Sequence, residues 1–177
     1  FISTQGIHET EKRDRGNFPI VYVNLYQAAR FCNWLQNQNT PCLKGDALTE
    51  DGAYKLDGNN SDPIVRNPKA VWFIPTESEW YKPAYYKGGG SREGYWNFAN
   101  RSNWAPSNFH QAKYNAANYY CSNYTKQGPP YITTVRHFKE SVGVYNTYDM
   151  SGNVAEWVAT TENDGTTPLK YVARGGS

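Results

Sequence analysis

The sequence predicts an α+β fold with two main helices, a few short strands and a large share of irregular chain. Three observations predict it: two capped strand-to-helix junctions, the near absence of the aliphatic runs that build parallel sheets, and long segments rich in Gly and Asn. With 177 residues, the chain is predicted to form a single domain, residues 1–177.

The first junction follows a polar segment, residues 1–18, which is predicted to be a surface connection. The run Pro19–Val23 is typical of a strand, and Asn24 is a suitable N-cap for the helix that follows, with Gln27 completing a capping box. Apolar residues then recur at helical spacing for about three turns, until Asn37, Asn39 and Pro41 end the helix. The predicted buried face consists of Leu25, Ala28, Phe31, Cys32 and Leu35.

The second junction joins a predicted strand, Val71–Ile74, to a helix that begins after Pro75. Thr76 and Glu79 form its capping box. Pro83 is predicted to kink this helix or end it early, because a proline inside a helix removes one backbone hydrogen bond and costs about 3 kcal/mol.

The remaining segments are mostly irregular. Residues 43–69 resemble an inserted loop with turns at 58–63, and residues 87–127 carry seven asparagines between Trp96 and Tyr124, which argues against regular helix or sheet. Beyond this, the sequence predicts a strand at 131–138, a turn at 163–165 and a short strand at 170–173.

The composition indicates how the core is built and argues against some classes of function. The chain has 15 Tyr, 6 Trp and 7 Phe, so aromatic side chains are expected to form much of the core and to hydrogen-bond to loops. Its net charge of +2 is spread without a basic stripe, which argues against a nucleic-acid partner. No apolar run reaches the roughly 18 residues of a membrane span. Because the chain begins at Phe1 and stops at Ser177, we interpret it as an internal fragment whose signal peptide or anchor was lost with the termini.

Four segments together resemble the formylglycine-generating enzyme, or sulfatase-modifying factor, family. They are Pro19–Leu35, Ile74–Trp80, Tyr148–Trp157 and Arg174–Ser177, which look like the family's strand-helix, its LPTEAEW helix start, its YDMSGNVWEW loop and its RGGS strand. The resemblance implies a C-type-lectin-like fold with two main helices, short antiparallel strands and high irregular content.

In the enzymes of this family, a cysteine pair shortly beyond RGGS binds copper and oxidises a sulfatase cysteine to formylglycine. The pair would lie beyond Ser177, so the resemblance assigns no catalytic residue to this chain, and copper is expected only if a C-terminal segment carries both cysteines. Other members serve as binding or display modules without catalysis. A related branch binds iron through histidines, but His8, His110 and His137 follow no ligand spacing and are predicted to be surface or loop residues.

The resemblance also implies a structural calcium ion at Gly152, Asn153, Val154 and Glu156. The alternative is a helix N-terminus, with Asn153 as cap and Glu156 completing the capping box. A second family calcium site would fall near Asn115 and Asn118, where the match is loose.

The three cysteines are disulfide candidates. Cys32 matches a family cysteine whose partner lies beyond this chain, although a buried helix thiol is the alternative. Ala84 replaces the cysteine of the other family bridge, and Cys42 could pair with Cys121 if the protein is exported.

Four further motif residues, Glu77, Trp80, Trp157 and Arg174, are interpreted as structural. Four departures from the family pattern weaken the case for catalysis, namely Leu25, Phe73, Pro83 and Ala155.

The aromatic, asparagine-rich loop from Tyr95 to Tyr124 is the predicted contact surface, because rigid rings and small polar groups are typical of adaptable binding loops. A solvated loop that packs on itself is the alternative. We predict a secreted or cell-surface binding or display module for a peptide or glycan ligand; the alternative is the formylglycine-generating oxidase. The predicted ligand-binding residues are Tyr95, Trp96, Asn100, Trp104, Asn118 and Tyr119.

Overall fold

A computed structural model describes residues 15–40, 44–58, 63–125, 131–162 and 170–176. Its regular elements are few and lie in a largely irregular chain. They are the helices α1 (Leu25–Asn37) and α2 (Glu77–Tyr85), the strands β1 (Ala155–Glu162) and β2 (Lys170–Gly175), and three short 3₁₀ helices at Arg15–Asn17, Gly45–Leu48 and Gly90–Arg92.

Helix α1 begins where the sequence predicts. Asn24 adopts an extended backbone, and its Oδ1 accepts a hydrogen bond from the Gln27 backbone amide at 2.8 Å, while the Gln27 side chain accepts one from the Asn24 amide at 2.8 Å. This reciprocal pair confirms the capping box, because it satisfies two amides that have no partner within the helix.

The buried face of α1 agrees with the predicted one at Leu25, with Ala28 and Cys32 partly buried against the core, but it differs at Phe31. Leu25, Ala29 and Asn33 are buried, whereas Phe31 is 58% exposed and stacks on Trp34 with 5.9 Å between ring centroids. The prediction is wrong at Phe31 because Asn33 takes the inward position. Its amide donates to the carbonyls of Thr49 (2.7 Å) and Tyr54 (2.9 Å) and accepts from the Tyr54 amide (2.8 Å), which hydropathy does not reveal.

Helix α2 confirms the second capping box. The Glu79 amide donates to Thr76 Oγ1 at 3.2 Å, and the Thr76 amide donates to the Glu79 carboxylate at 2.8 Å. Pro83 lies inside the helix, which ends two residues later at Tyr85. The early end agrees with the loss of one backbone donor at Pro83.

Strands β1 and β2 form a two-stranded antiparallel sheet. The strand predicted at 170–173 is confirmed within β2, and β1 carries the β-branched residues that favour strands, with Val158 fully buried.

Three other predicted strands, at 19–23, 71–74 and 131–138, do not form, although the structure describes all three segments. In the first, Tyr22 adopts a left-handed backbone (φ 61°) that interrupts an extended run. The carbonyl of Val23 accepts a hydrogen bond from Trp157 Nε1 at 2.9 Å, so a side chain takes the place of a neighbouring strand.

Side chains also replace strand partners at 71–74. The Gln36 side-chain oxygen accepts from the Val71 amide at 2.9 Å, and the Tyr54 hydroxyl accepts from the Ile74 amide at 2.9 Å. Once these amides are satisfied, no strand neighbour is required.

The chain divides into two compact units, which are described separately. Unit 1 comprises Phe1–Val21, Pro83–Val154 and Gly175–Ser177; unit 2 comprises Tyr22–Lys82 and Ala155–Arg174. The single-domain prediction therefore stays a prediction. The core of unit 2 consists of Leu25, Ala29, Ala53, Tyr54, Leu56 and Ile74.

Aromatic side chains contribute less to the interior than the composition predicts. Among the described residues, only Tyr54, Trp80 and Phe138 are buried aromatics, while most exposed large apolar side chains are aromatic. The expectation of an aromatic core is met in part: Tyr26, Trp157 and Tyr171 pack partly buried against the core of unit 2, while alanines and hydrogen-bonded asparagines fill much of the remaining interior.

Some predictions fall outside the described residues. These are residues 1–14 of the N-terminal connection with His8, the turn residues 59–62 and 163–165, and Cys42. Across the segments that the structure does describe, no helix is long and apolar enough to cross a membrane.

Candidate binding surface

The segment 95–125 of unit 1, called the aromatic loop below, is held together by asparagine side chains. The Asn108 amide nitrogen lies 2.8 Å from the carbonyl oxygen of Asn123 and 3.4 Å from those of Tyr119 and Cys121. These contacts tie the middle of the loop to its end, so the loop folds back on its own backbone.

A second asparagine, Asn115, fixes the first half of the loop. It adopts a left-handed backbone (φ 45°), which asparagine tolerates better than most residues. Its Oδ1 accepts from Asn100 Nδ2 at 2.5 Å, and its Nδ2 donates to the carbonyl of Ala105 at 3.2 Å. A parallel bridge between Ser107 and Ala116 adds backbone hydrogen bonds at the same place.

Asn118, Asn153 and Thr133 form a buried hydrogen-bond network that holds the loop at Asn118. Asn153 Oδ1 accepts from the Thr133 amide at 2.9 Å and from Asn118 Nδ2 at 3.0 Å, while its Nδ2 donates to the Thr133 carbonyl at 3.2 Å. The side-chain amide of Asn153 thus bonds both backbone groups of Thr133, as a neighbouring strand would. This explains why the strand predicted at 131–138 does not form; Tyr131 and Arg136 also adopt left-handed backbones.

Several rings of the aromatic loop are exposed. Trp104 is 81% exposed and Tyr114 is 64% exposed. Three exposed tyrosines, Tyr120, Tyr124 and Tyr131, form a continuous group called the tyrosine cluster below. Their ring centroids lie 4.9 Å apart between Tyr120 and Tyr124 and 4.3 Å apart between Tyr124 and Tyr131. Aromatic rings on a fixed backbone form a rigid contact surface.

A cavity in unit 1 is too small for an organic ligand. Lined by residues including Asn118, Phe138 and Asp149, it measures about 10 Å³, close to the space that one water molecule occupies. In this region a ligand would therefore contact the exposed rings and not this cavity.

The predicted ligand-binding residues separate into exposed and interior positions. Tyr95 (49%) and Trp104 (81%) are exposed, and Trp96 is half-buried beneath Lys87, whose Nζ lies 4.7 Å from the ring. Asn100 and Asn118 are buried, which removes them from the contact surface; Asn100 bonds Asn115 within the loop, and Asn118 bonds the Tyr131 carbonyl beyond it. The hydroxyl of half-buried Tyr119 donates to the Pro106 carbonyl at 2.5 Å.

Sequence reasoning missed the tyrosine cluster. The tyrosine-rich run was visible, but nothing in it indicates which rings meet. Ser122 adopts a left-handed backbone (φ 59°) between Tyr120 and Tyr124, and contact with Tyr131 depends on the bond from Asn118 Nδ2 to the Tyr131 carbonyl at 3.1 Å. The left-handed serine has no sequence signal.

The chain matches the family described as the Sulfatase-modifying factor enzyme 1-like domain over residues 2–177. The chain belongs to this family. No curated protein and no solved structure matches it. The resemblance stated from the four segments is therefore confirmed.

The family's motif residues are bonded as structural elements of unit 2. Trp80 is buried, and its Nε1 donates to the Glu156 carboxylate at 2.6 Å. Arg174 pairs with Glu77. These contacts support the structural interpretation of the four motif residues, together with the bond from Trp157 to Val23.

The residues predicted to bind calcium lie on both sides of the division between units, with Gly152, Asn153 and Val154 in unit 1 and Glu156 in unit 2. Asn153 Oδ1 already accepts two hydrogen bonds, so the Asn153 side chain as placed does not fit a calcium ligand. The alternative, a helix N-terminus, is wrong, because residues 155–162 form β1. Calcium stays a prediction from the family.

The described cysteines, Cys32 and Cys121, are both free thiols. Cys32 is partly buried on α1, and burial raises the pKa of its thiol. Its predicted pairing with a cysteine beyond this chain stays a prediction, and so does the Cys42–Cys121 pair, since Cys42 lies outside the described residues.

The two described histidines are distant in sequence but adjacent in space. The rings of His110 and His137 stack with centroids 4.4 Å apart, and His137 Nε2 lies 3.0 Å from the His110 carbonyl oxygen. Within the described segments, no group of three or more His, Cys, Asp or Glu side chains could hold a metal ion.

Asp149 of unit 1 is a partly buried carboxyl group whose effect on stability can be measured. Burial raises the pKa of its carboxyl group, and the Arg136 amide (2.8 Å from Oδ2) and nearby His137 offset this only in part. A raised pKa means that Asp149 favours the folded state when it is protonated and loses this contribution as pH rises through its folded pKa. Its backbone is also left-handed (φ 60°).

We therefore expect Asp149→Asn to raise Tm at pH 7 by roughly one to three degrees, a modest gain because the carboxyl is only partly buried. The neutral amide keeps an oxygen for the Arg136 amide and tolerates the left-handed backbone. The gain should vanish below about pH 4, where the aspartate is itself protonated. Thermal unfolding at both pH values checks this, and an equal or lower Tm at pH 7 would contradict it.

Proposed function

We propose that this family member is a binding or display module, and that its ligand, a peptide or a glycan, contacts the exposed rings of the aromatic loop and the tyrosine cluster. The observation that carries this proposal is the combination of exposed tyrosine rings in mutual contact with a backbone fixed by hydrogen-bonded asparagine side chains. The two helices, the short antiparallel sheet and the irregular remainder support the C-type-lectin-like fold that the family implies.

The energetic argument is one of preorganisation. Binding costs free energy for every flexible side chain or loop that becomes ordered. Here Asn108, Asn115 and Asn118 already hold the backbone, and ring contacts limit the tyrosine rotamers. A large exposed apolar patch on a folded protein is typical of an interaction site. A secreted or cell-surface location agrees with this use and stays part of the proposal.

The proposal is tested by screening the purified chain on peptide and glycan arrays and measuring affinities for the ligands found. We expect the double variant Tyr120→Ala/Tyr124→Ala to weaken binding at least about tenfold, which is about 1.4 kcal/mol, because central aromatic side chains dominate interfaces. Tyr145→Ala is the control, since Tyr145 is also in unit 1, is 50% exposed and lies outside the cluster.

Two results would contradict the proposal: no ligand on either array, or unchanged affinity in the double variant. Circular dichroism and thermal unfolding must show that both variants fold like the parent chain, so that lost binding is not lost structure.

A second candidate, a formylglycine-generating oxidase acting on a sulfatase cysteine, is supported by family membership. It requires a copper-binding cysteine pair, which the family pattern places beyond Ser177. Incubating the full-length protein with copper(I) and a cysteine-containing sulfatase peptide tests it, with aldehyde formation as the readout.

A further inference from the structure

Charge is distributed unevenly along the sequence around the aromatic loop. From Gly94 to Lys139 there is no Asp or Glu, whereas an even spread of the chain's 16 acids would place about four there. The same segment contains five cations: Arg101, Lys113, Lys126, Arg136 and Lys139. The segment therefore carries +5 and the rest of the chain −3, which together give the net charge of +2.

The described cations of this segment are accessible. Arg101, Lys113, Arg136 and Lys139 are all exposed. None forms an ion pair with another described residue, and the ion pairs within the described part of the chain all belong to unit 2. Exposed cations without an ion-pair partner are available for an anionic partner, although Glu140 follows Lys139 in the sequence and the Asp149 carboxylate accepts a hydrogen bond from the Arg136 backbone amide.

Cations and aromatic rings also lie next to each other in unit 1. Lys113 Nζ lies 5.2 Å from the Tyr114 ring centroid, and the Arg136 guanidinium lies 4.4 Å from that of Tyr148. Tyr114 is 64% exposed, so Lys113 leaves much of its ring accessible. Lys113 thus places a positive charge beside an exposed ring within the segment, and Arg136 places one beside Tyr148, just beyond the segment.

This combination matches one ligand chemistry. The C–H groups on one face of a sugar ring pack against an aromatic face, while the tyrosine hydroxyls remain free to exchange hydrogen bonds with sugar hydroxyls. Carboxylate or sulfate groups on the same sugar would form charge-assisted hydrogen bonds with Arg or Lys. Four dispersed surface cations are few for a nucleic acid, which in duplex form carries a charge about every 1.7 Å.

We propose that the ligand of the aromatic loop is an anionic polysaccharide, whose sugar rings stack on the exposed tyrosines and whose carboxylate or sulfate groups pair with Arg101, Lys113 and Arg136. This inference rests on the proposed binding function and specifies its ligand class.

Dextran provides a matched test, because dextran sulfate, carboxymethyl dextran and neutral dextran share one backbone. Affinity of the full chain for each is measured at low and high salt by calorimetry or biolayer interferometry. We expect either or both charged polymers to bind at least about 30-fold more tightly than neutral dextran, with the difference shrinking at high salt. The two charged polymers distinguish sulfate from carboxylate recognition.

Two sets of variants locate the site. Arg101→Asn/Lys113→Gln/Arg136→Asn removes three charges and places asparagine at the two left-handed positions, Arg101 and Arg136. It should weaken charged-dextran binding about 10-fold to 100-fold. The control is Lys44→Gln/Lys55→Gln/Lys69→Gln, three exposed lysines of unit 2 that remove the same charge; it should change affinity less than about twofold.

Each remaining outcome decides against the anionic ligand. Equal affinity for neutral and charged dextrans, lost in Tyr120→Ala/Tyr124→Ala, would overturn it and leave the binding function intact. Equal losses in both triple variants would indicate nonspecific attraction. Tighter binding of single-stranded oligothymidine would favour a nucleic acid. Absence of binding to every dextran would also overturn the anionic ligand. The binding function would then still be tested separately, by whether array ligands bind through the tyrosines.

Discussion

Replacing Gly152 with alanine is expected to destabilise unit 1 by at least about 3 kcal/mol. A Cβ atom at this position would lie 2.2 Å from the carbonyl oxygen of Asn118 and 3.0 Å from its carbonyl carbon. Both are backbone atoms and cannot rotate away. The carbonyl of Asn118 also accepts a hydrogen bond from the backbone amide of Asn153 at 2.7 Å. Relieving the clash would therefore also break the Asn118–Asn153 network.

Chemical denaturation of Gly152→Ala measures this loss directly, with Gly16→Ala as the matched control. Gly16 is also in unit 1, and a Cβ there would meet no atom within 4 Å. The control should change the free energy of unfolding by less than about 0.5 kcal/mol. Equal midpoints for Gly152→Ala and the parent chain would show that Gly152 does not pack against Asn118. Weakened binding by the aromatic loop under conditions where the variant remains folded would link the network to the proposed function.

The second large effect is expected in unit 2, where Asn33→Ala should cost about 3–5 kcal/mol. The Asn33 side chain is fully buried and makes three hydrogen bonds, to the Thr49 carbonyl and to both backbone groups of Tyr54. Removing it leaves buried polar groups without partners, at about 1–3 kcal/mol for each group. Tyr54 is itself only 1% exposed, so water cannot replace the lost amide.

A neighbouring asparagine on the same helix serves as the comparison. Asn37 also donates to backbone carbonyls, Leu48 at 3.3 Å and Asp51 at 2.6 Å, but it is only partly buried. Asn37→Ala should therefore lower the free energy of unfolding by no more than about 1.5 kcal/mol, since water reaches the carbonyl of exposed Asp51. If both variants show the same loss in denaturant titrations, the burial of Asn33 is not what makes it important.

The asparagines show why local features were predicted correctly from the sequence and long-range contacts were not. Asn24 acts within three residues of itself, and its role in capping α1 is visible in the sequence because a capping box is a local pattern. Asn33 and Asn153 act across 21 and 20 residues, on Tyr54 and Thr133. No spacing rule connects such positions, so the sequence analysis left Asn33 without a role and placed Asn153 in a calcium loop.

The failed strands have the same origin. Residues 19–23, 71–74 and 131–138 have the composition of strands, but a strand also needs a partner with free backbone groups. Gln36, Tyr54 and Asn153 supply hydrogen bonds from their side chains. By contrast, β2 was predicted correctly, because β1 lies beside it as a true partner.

The sequence by itself determined both helix starts through their capping boxes, the early end of α2 through Pro83, the irregular character of the aromatic loop and the family. The tertiary structure decided which asparagines are interior, which tyrosine rings meet, and which backbone segments receive side chains in place of strands. The physical reason is the range of the interactions. Caps and proline effects act over a few residues, whereas burial and long-range hydrogen bonds depend on the whole chain being folded.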